Sequence, residues 1–215
     1  MNNHQEKIIL AQKIVQRKLI GKELSYREIY HLIKSIAKQE ISDILIAYFT
    51  AASFTNKFSD KEILYLIKAM VETGNRLSFR GIIVDKHSTG GVAGTRTSPI
   101  VVAVVAAAGF KIPKISSRAI TTPAGTADVM EVLAKVDLSI NEIENIVNKV
   151  GGCLAWNGKM GIAPADDVII RVEKEIMFES FDKIIISILA KKIASGSNTV
   201  ILDIPYGQDL KIKKK

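Results

Sequence analysis

Lys86, His87 and Ser88 open a polar, glycine-bearing stretch, Asp85–Ser98 (DKHSTGGVAGTRTS). A lysine supplies full positive charge, hydroxyls supply short hydrogen-bond donors, and glycines let backbone N–H groups come close to an anion. The stretch follows a short β-branched run, GIIVD (Gly81–Asp85), and leads into an apolar segment starting Ser98–Pro99. A helix starting there adds partial positive charge at the same end. The spacing fits neither common nucleotide loop. Thr95 stands where a Walker A loop needs its second glycine, and Gly91 and Gly94 alone do not make a dinucleotide fingerprint. The residue types therefore predict a site for a small anion such as phosphate. A solvent-facing glycine connector is the competing reading. His87 alone is weak evidence, but beside Lys86 it becomes a candidate acid or charge-stabilising group.

A second loop repeats the logic. SSRAITTPAGTAD (Ser116–Asp128) follows a strand-like KIPKI and precedes a helix expected to begin near Ala124–Thr126. In parallel α/β sheets ligands gather beyond the carboxyl ends of strands, so two such loops on neighbouring strands meet at one edge. Arg118 in this loop is read equally as a substrate contact or a surface ion pair. Cys153 reads as a small buried hydrophobe, and Trp156 and Met160 as packing residues.

The elements that must hold these loops follow from periodicity. Ile8, Ala11, Val15 and Leu19 recur at helical spacing. SYRE (Ser25–Glu28) and SDKE (Ser59–Glu62) are capping boxes, each ahead of an amphipathic run. Ser42 can cap a helix whose inward face is read as Ile44, Leu45, Tyr48 and Ala52. Residues 5–74 thus read as four helices. Beyond them strands alternate with helices: SPIVVAVVAAAG as a buried helix with Ser98 at its cap, SINE (Ser139–Glu142) capping another, CLAW and DVIIRV as strands, DKIIISILAKKIASG (Asp182–Gly196) as an amphipathic helix and TVILDI (Thr199–Ile204) as a last, buried strand. That alternation predicts a mostly parallel α/β sheet. The expected domains are a helical one, 1–76, completed by helix 182–196, and an α/β phosphate-binding one, 77–170 with 198–215.

Composition narrows the classes. The 215 residues are 47% apolar and 24% charged, with net charge +8. The excess suggests an anionic partner, but acids are interspersed among the bases and aromatics are only 6%, which argues against nucleic acid. One cysteine and three histidines (His4, His31, His87) are too few for a zinc site, so no metal is expected. The single cysteine also rules out an internal disulfide and suggests a reducing, cytoplasmic setting. No signal peptide or membrane span is legible at the sequence level.

DKHSTGG, SSRAITTPAGTADVMEVLA, GGCLAWNG, APADDVIIRVE and SILAKKIASGS, in that order, resemble the thymidine phosphorylase and AMP phosphorylase family, in particular its AMP-type and bacterial type 2 thymidine-type branches. The resemblance covers nearly the whole chain. It implies a helical domain beside a nucleoside phosphorylase/phosphoribosyltransferase-like α/β domain, an active site in the cleft between them, and a homodimer joined through the helices. It implies reversible phosphorolysis, in which inorganic phosphate is a substrate and no cofactor takes part. It assigns phosphate to Lys86, Ser88, Gly90, Gly91, Ser98, Ser116 and Thr126. It assigns the base to His87, Arg118, Arg171, Ser187 and Lys191, with His87, Arg171 and Lys191 as groups that meet the charge developing on the leaving base. In AMP-type relatives the nucleotide is touched at Gly91, Ser117, Arg118, Ala119, Ile120, Thr121, Thr122, Thr126, Ser187 and Lys211.

The chain departs from the pattern in places. Glu179 aligns with the family's acidic proton donor, usually Asp, and carries its carboxyl one methylene further out. Arg171 and Ser187 differ by one residue from the thymidine-type spacing. Family members also continue well beyond the position of Lys215, so the α/β domain is expected to be incomplete, with an open sheet edge and exposed apolar surface. Three functional readings stay open: a thymidine-type phosphorylase, a nucleoside 5′-monophosphate (AMP) phosphorylase, and an inactive fragment or partial subunit of such an enzyme. A nucleic-acid module and a phosphoribosyltransferase are the remaining, less favoured classes.

Overall fold

A computed structural model describes residues 3–89, 96–116, 118, 125–158, 160–177, 180–208, 210 and 212–213. The chain divides into two compact units, Met1–Asn75 with Ile162–Lys191, and Arg76–Gly161 with Lys192–Lys215.

The first unit is helical. It contains α1 (Asn3–Leu19), α2 (Tyr26–Ala37), α3 (Asp43–Thr55), α4 (Asp60–Glu72), α8 (Pro164–Glu175) and most of α9 (Phe181–Ala194). The expected caps are present. Ser25 and Ser59 each accept from the backbone N–H three residues on while Glu28 and Glu62 reach back, and Ser42 accepts from Leu45. Each such cap satisfies donors that the first helical turn leaves open. The core is built from Ile14, Ile29, Leu32, Ile33, Ile36, Phe49, Leu66 and Met70.

Two expectations fail here. The inward face of α3 is Ile46, Phe49, Thr50, Ala52 and Ser53, whereas Ile44 and Tyr48 point to solvent. DILIAYFTAASFT is apolar nearly all round, so periodicity could not choose a face. DVIIRV, expected as a strand, lies within α8, whose Val168, Ile169 and Val172 are buried at helical spacing. Pro164 at its first position, with Asp166 and Asp167 in the first turn, favours helix at that point. With it, residues 162–170 join the helical unit rather than the α/β unit.

The second unit carries β1 (Val84–Ser88), α5 (Thr97–Ala107), β2 (Ile112–Ser116), α6 (Thr126–Glu131), α7 (Ile140–Val150), β3 (Gly152–Trp156) and β4 (Thr199–Asp203). β1 pairs parallel with β4, and β2 pairs parallel with β3. One parallel bridge, Ile83↔Lys111, joins the two ladders and gives the order β4-β1-β2-β3. Ser139 caps α7 with a full capping box, and Gly151 ends it at φ 86°, a left-handed position that suits glycine. Ser98 does not cap α5. That helix begins at Thr97 after Arg96, with Ser98 inside its first turn. Two segments expected to be buried are not: α5 buries Val102 but leaves Ile100 and Val104 exposed, and on the outer strand β4 Ile201 and Leu202 are exposed, as is Ile204 just beyond it, because nothing among the described residues covers these faces. Among the described residues no helix is long and apolar enough to cross a membrane.

Within the helical unit one ion pair is almost wholly dry. Lys18 Nζ lies 2.7 Å from Glu62 Oε2, with the two side chains 3% and 1% exposed. Glu62 Oε1 also accepts from the Leu24 N–H at 3.0 Å. Removing one member of such a pair strands the other charge in low dielectric. Glu62→Ala is therefore expected to lower stability by about 3–5 kcal/mol, read as a shift of the urea midpoint. Glu23→Ala, at an exposed hydroxyl contact with Ser59, should cost under about 1 kcal/mol.

Candidate active site

The four strands of the α/β unit end on chemistry-bearing residues: Ser88 on β1, Ser116 on β2, Trp156 on β3 and Asp203 on β4. The ladders set Ser88 opposite Asp203 and Ser116 opposite Trp156. From the Ile83↔Lys111 bridge, Ser88 and Ser116 each lie five positions on (88 − 83 and 116 − 111), so both hydroxyl residues stand at one level of the carboxyl edge. This edge is where the sequence expected the two polar loops to meet.

Lys86 Nζ lies 2.8 Å from Asp203 Oδ2 and is largely covered, while the aspartate is about half exposed. The Lys86 hydrogen bond, with help from the Ser88 hydroxyl, holds the Asp203 carboxyl below the ordinary aspartate range. The loop's lysine and first serine thus converge on one carboxylate of the neighbouring strand. His87, on the same strand, is partly buried. Ser98 sits in the first turn of α5, and Thr126 is the first residue of α6.

Behind them lies Asp85, with no exposed surface. It accepts from Lys192 Nζ of α9 at 2.6 Å and from the Lys86 backbone N–H at 2.7 Å. Lys114 Nζ of β2 stands 3.7 Å from its other side and donates to the Ile115 carbonyl at 3.3 Å. Burial, together with the neighbouring Lys192, pushes the Lys114 ammonium down to about 7.

Arg118 is held within the α/β unit. Its guanidinium pairs with Glu131, lies 3.7 Å from Asp128 Oδ1, and sits 4.7 Å from the centre of the Trp156 ring. The hydrogen bond to Glu131 raises Arg118 further above its already high range. Trp156, partly buried, packs its ring against the loop residue Arg118, in line with its reading as a packing residue. Cys153 is buried as expected, its thiol pushed up to about 12 by burial and by Asp85.

In the helical unit Ser187 and Lys191 lie one turn apart on α9 and share a partner. Asp166 Oδ2, on a residue 1% exposed, accepts from Ser187 Oγ at 2.7 Å and from Lys191 Nζ at 2.7 Å. Asp167 Oδ1 is 3.3 Å from the same ammonium. Burial works against the Lys191 charge, but the two aspartates outweigh it and raise its pKa. Burial pushes the Asp167 carboxyl up, and Lys191 limits the rise. Arg171 does not join this group. It lies five residues after Asp166, about 140° round the helix, and forms a two-pronged pair with Asp43 of α3 at 2.7 and 3.0 Å. Its environment is that of an exposed tie between helices. Gly90, Gly91, Ser117, Ala119, Ile120, Thr121, Thr122, Glu179 and Lys211 lie outside the described residues.

The sequence reading missed Asp166, Lys114 and Lys192. Asp166 had a signal, because paired aspartates in the first turn after Ala-Pro-Ala suit a helix N-terminus. It was hidden by reading the following run as a strand.

Parallel strands whose carboxyl edge bears lysine and hydroxyls, in a unit distinct from a helical one, make a two-unit α/β architecture. Residues 80–213 match the model of the glycosyl transferase family's a/b domain, and residues 12–74 match its helical bundle domain. The chain belongs to this family. It is 46% identical over 202 residues to a protein of Legionella pneumophila (strain Paris) named "Putative thymidine phosphorylase", and 50% identical over 200 residues to the AMP phosphorylase of Thermofilum pendens. These alignments cover 94% and 93% of this chain but 39% of each relative, so the chain spans about two fifths of their length. Among solved structures, anthranilate phosphoribosyltransferase from Thermus thermophilus superposes with a TM-score of 0.77 at 22% identity. That match covers 89% of this chain and 58% of that protein, and speaks for the fold alone.

Asp166 should matter through its two partners. Asp166→Ala is expected to cost about 2–3 kcal/mol, because it leaves Lys191 largely buried without its nearest anion. In a Lys191→Met background the same change should cost at least about 1 kcal/mol less. Chemical denaturation of the single and double variants measures this coupling.

Proposed function

We propose that the chain is the phosphate- and base-binding part of a nucleoside phosphorylase of the thymidine type. Inorganic phosphate attacks C1′ of a nucleoside; the C1′–O bond forms as the C1′–N bond breaks. The products are the free base and a pentose 1-phosphate. The observation that carries this reading is the convergence of Lys86, Ser88 and Ser116 on one carboxyl edge, in a family whose relatives are named as phosphorylases.

Lys86, Ser88, Ser98, Ser116 and Thr126 are assigned to phosphate. A lysine and several hydroxyls suit a tetrahedral oxyanion, which takes charge-assisted hydrogen bonds from several directions. Lys191 and Ser187 are assigned to the base, whose oxygens gain negative charge as the bond breaks; an ammonium aimed at developing charge lowers the barrier. Asp166 positions both. His87 supplies the hydrogen bond or proton that the leaving base takes, with Glu179 as the acidic donor of the AMP-type pattern. The sugar passes through a cation-like state, and fixing phosphate beside it removes part of the entropic barrier. No metal or cofactor is assigned a step.

The reading includes a homodimer joined through the helical unit and a cytoplasmic location, in keeping with a lone buried cysteine. A nucleoside 5′-monophosphate substrate is the second reading, favoured by the 50% identity to the AMP phosphorylase.

The test incubates the purified chain with thymidine, uridine or AMP, with and without inorganic phosphate, and measures released base and pentose 1-phosphate. Phosphate-dependent release from thymidine is the expected result, and release from AMP alone selects the second reading. Lys86→Met should raise KM for phosphate at least about tenfold, the loss of one charge-assisted contact. A folded chain that neither releases base nor binds phosphate contradicts the proposal.

A further inference from the structure

The cluster beneath the strand edge holds more positive than negative charge. Among the described residues it contains Asp85 and Asp203 against Lys86, Lys114 and Lys192. Two pairs are short, Lys192 to Asp85 at 2.6 Å and Lys86 to Asp203 at 2.8 Å. Lys114 is the third cation. It is 6% exposed, 3.7 Å from an aspartate that Lys192 already engages, and otherwise bonded to the Ile115 carbonyl at 3.3 Å. A buried ammonium so placed carries a large desolvation cost that its neighbours only partly offset.

Its position along the chain gives the excess charge a use. Lys114 lies two residues before Ser116 on β2 and beside Asp85, next to Lys86 on β1. Both Ser116 and Lys86 are assigned above to phosphate. An anion seated there adds the negative charge the cluster lacks.

We propose that Lys114 is the proton-accepting counter-charge for an anion held at the ends of β1 and β2: it takes a proton from solvent when inorganic phosphate binds and returns it when the anion leaves. The proposal rests on the phosphate assignment made above. No covalent bond changes in this step; the proton comes from the buffer and goes back to it.

The charged groups acting on Lys114 are Lys192 of α9 and Asp85 and Lys86 of β1. Asp203 of β4 enters through its pair with Lys86. Cys153 of β3 stays neutral, its thiol pushed up to about 12. Of the helices that also pack on β2, α5 is apolar beyond its first turn, and α7 has its acids engaged elsewhere, Glu142 with Lys135 and Ser139, and Glu144 with the Ser78 N–H. With Lys114 lowered to about 7 in the free chain, a nearby anion should raise it by about one to three. The sign follows. Below the free value Lys114 is charged in both states and binding takes up no proton there. Above it, binding must first protonate the lysine, so affinity falls as pH rises until the bound value is passed.

The experiment titrates inorganic phosphate into the full chain by calorimetry in two buffers of different ionisation enthalpy, for wild type, Lys114→Met and Lys114→Arg. Phosphate's own ionisation is common to all three and cancels in the comparison. Near pH 7.5 the wild type should take up roughly half a proton more than either variant. Between about pH 7.5 and 9 its Kd should weaken about threefold or more relative to Lys114→Arg, whose charge is permanent. NMR of the wild-type lysine side chains, with the Lys114 signal identified by its loss in Lys114→Arg, should show its pKa rising on saturation with phosphate; this holds even if Lys114→Met fails to fold. Phosphate binding with equal proton counts and an unmoved Lys114 signal overturns this proposal and leaves the phosphate site standing. No phosphate binding by folded wild type overturns both.

Discussion

A carboxylate with no exposed surface is stable in a protein only if cations and N–H groups replace the water it has lost. Asp85 meets that condition by drawing on three parts of the chain. Lys192 comes from the last turns of α9, the Lys86 N–H from its own strand, and Lys114 from the neighbouring strand. The contact with Lys114 matters because the hydrogen-bonded pairing of β1 and β2 is a single bridge at Ile83↔Lys111. Above that bridge the Lys114–Asp85 contact and the packing of α5 on both strands link the two strands whose ends carry Ser88 and Ser116. The charges around Asp85 thus lie between the two strands that form the candidate phosphate edge.

The helical unit solves a parallel problem differently. Asp166 is as deeply buried as Asp85, but its partners are side chains, Ser187 and Lys191, on one face of a single helix. Two aspartates face one ammonium there, so the balance is negative, opposite to that of the strand edge. A surplus of lysine suits a site for an anion. A lysine kept charged by two acids suits a site where negative charge appears only as a bond breaks. Lysines thus outnumber acids around Asp85, and aspartates outnumber lysine around Lys191.

Much of this was legible in the residues. Ser25, Ser42, Ser59 and Ser139 announced their helices because capping chemistry is local, needing only a hydroxyl and, in the boxes, a glutamate three residues on. Lys86 and Ser88 stand out in the sequence as a lysine and a hydroxyl between strand and helix, and the structure brings both to Asp203. What escaped depends on tertiary context. The α3 helix is too uniformly apolar for periodicity to choose its face. The run in α8 is rich in Val and Ile, which favour strands until proline and aspartates upstream start a helix. Lys114 and Lys192 look like ordinary surface lysines in the sequence, and only the fold buries them against Asp85. Arg171 shows the converse: a motif-like position lies at the surface, paired with Asp43.

The central claim is that the carboxyl edge of the α/β unit holds inorganic phosphate. It is tested most directly by titrating phosphate into the 15N-labelled chain and following backbone amide resonances. Saturable shifts concentrated at Ser88, Ser98, Ser116 and Thr126, and lost in Lys86→Met, are the predicted result. Shifts confined to the lysine-rich segment after Leu210, or no saturable shift at the strand edge, would contradict the account.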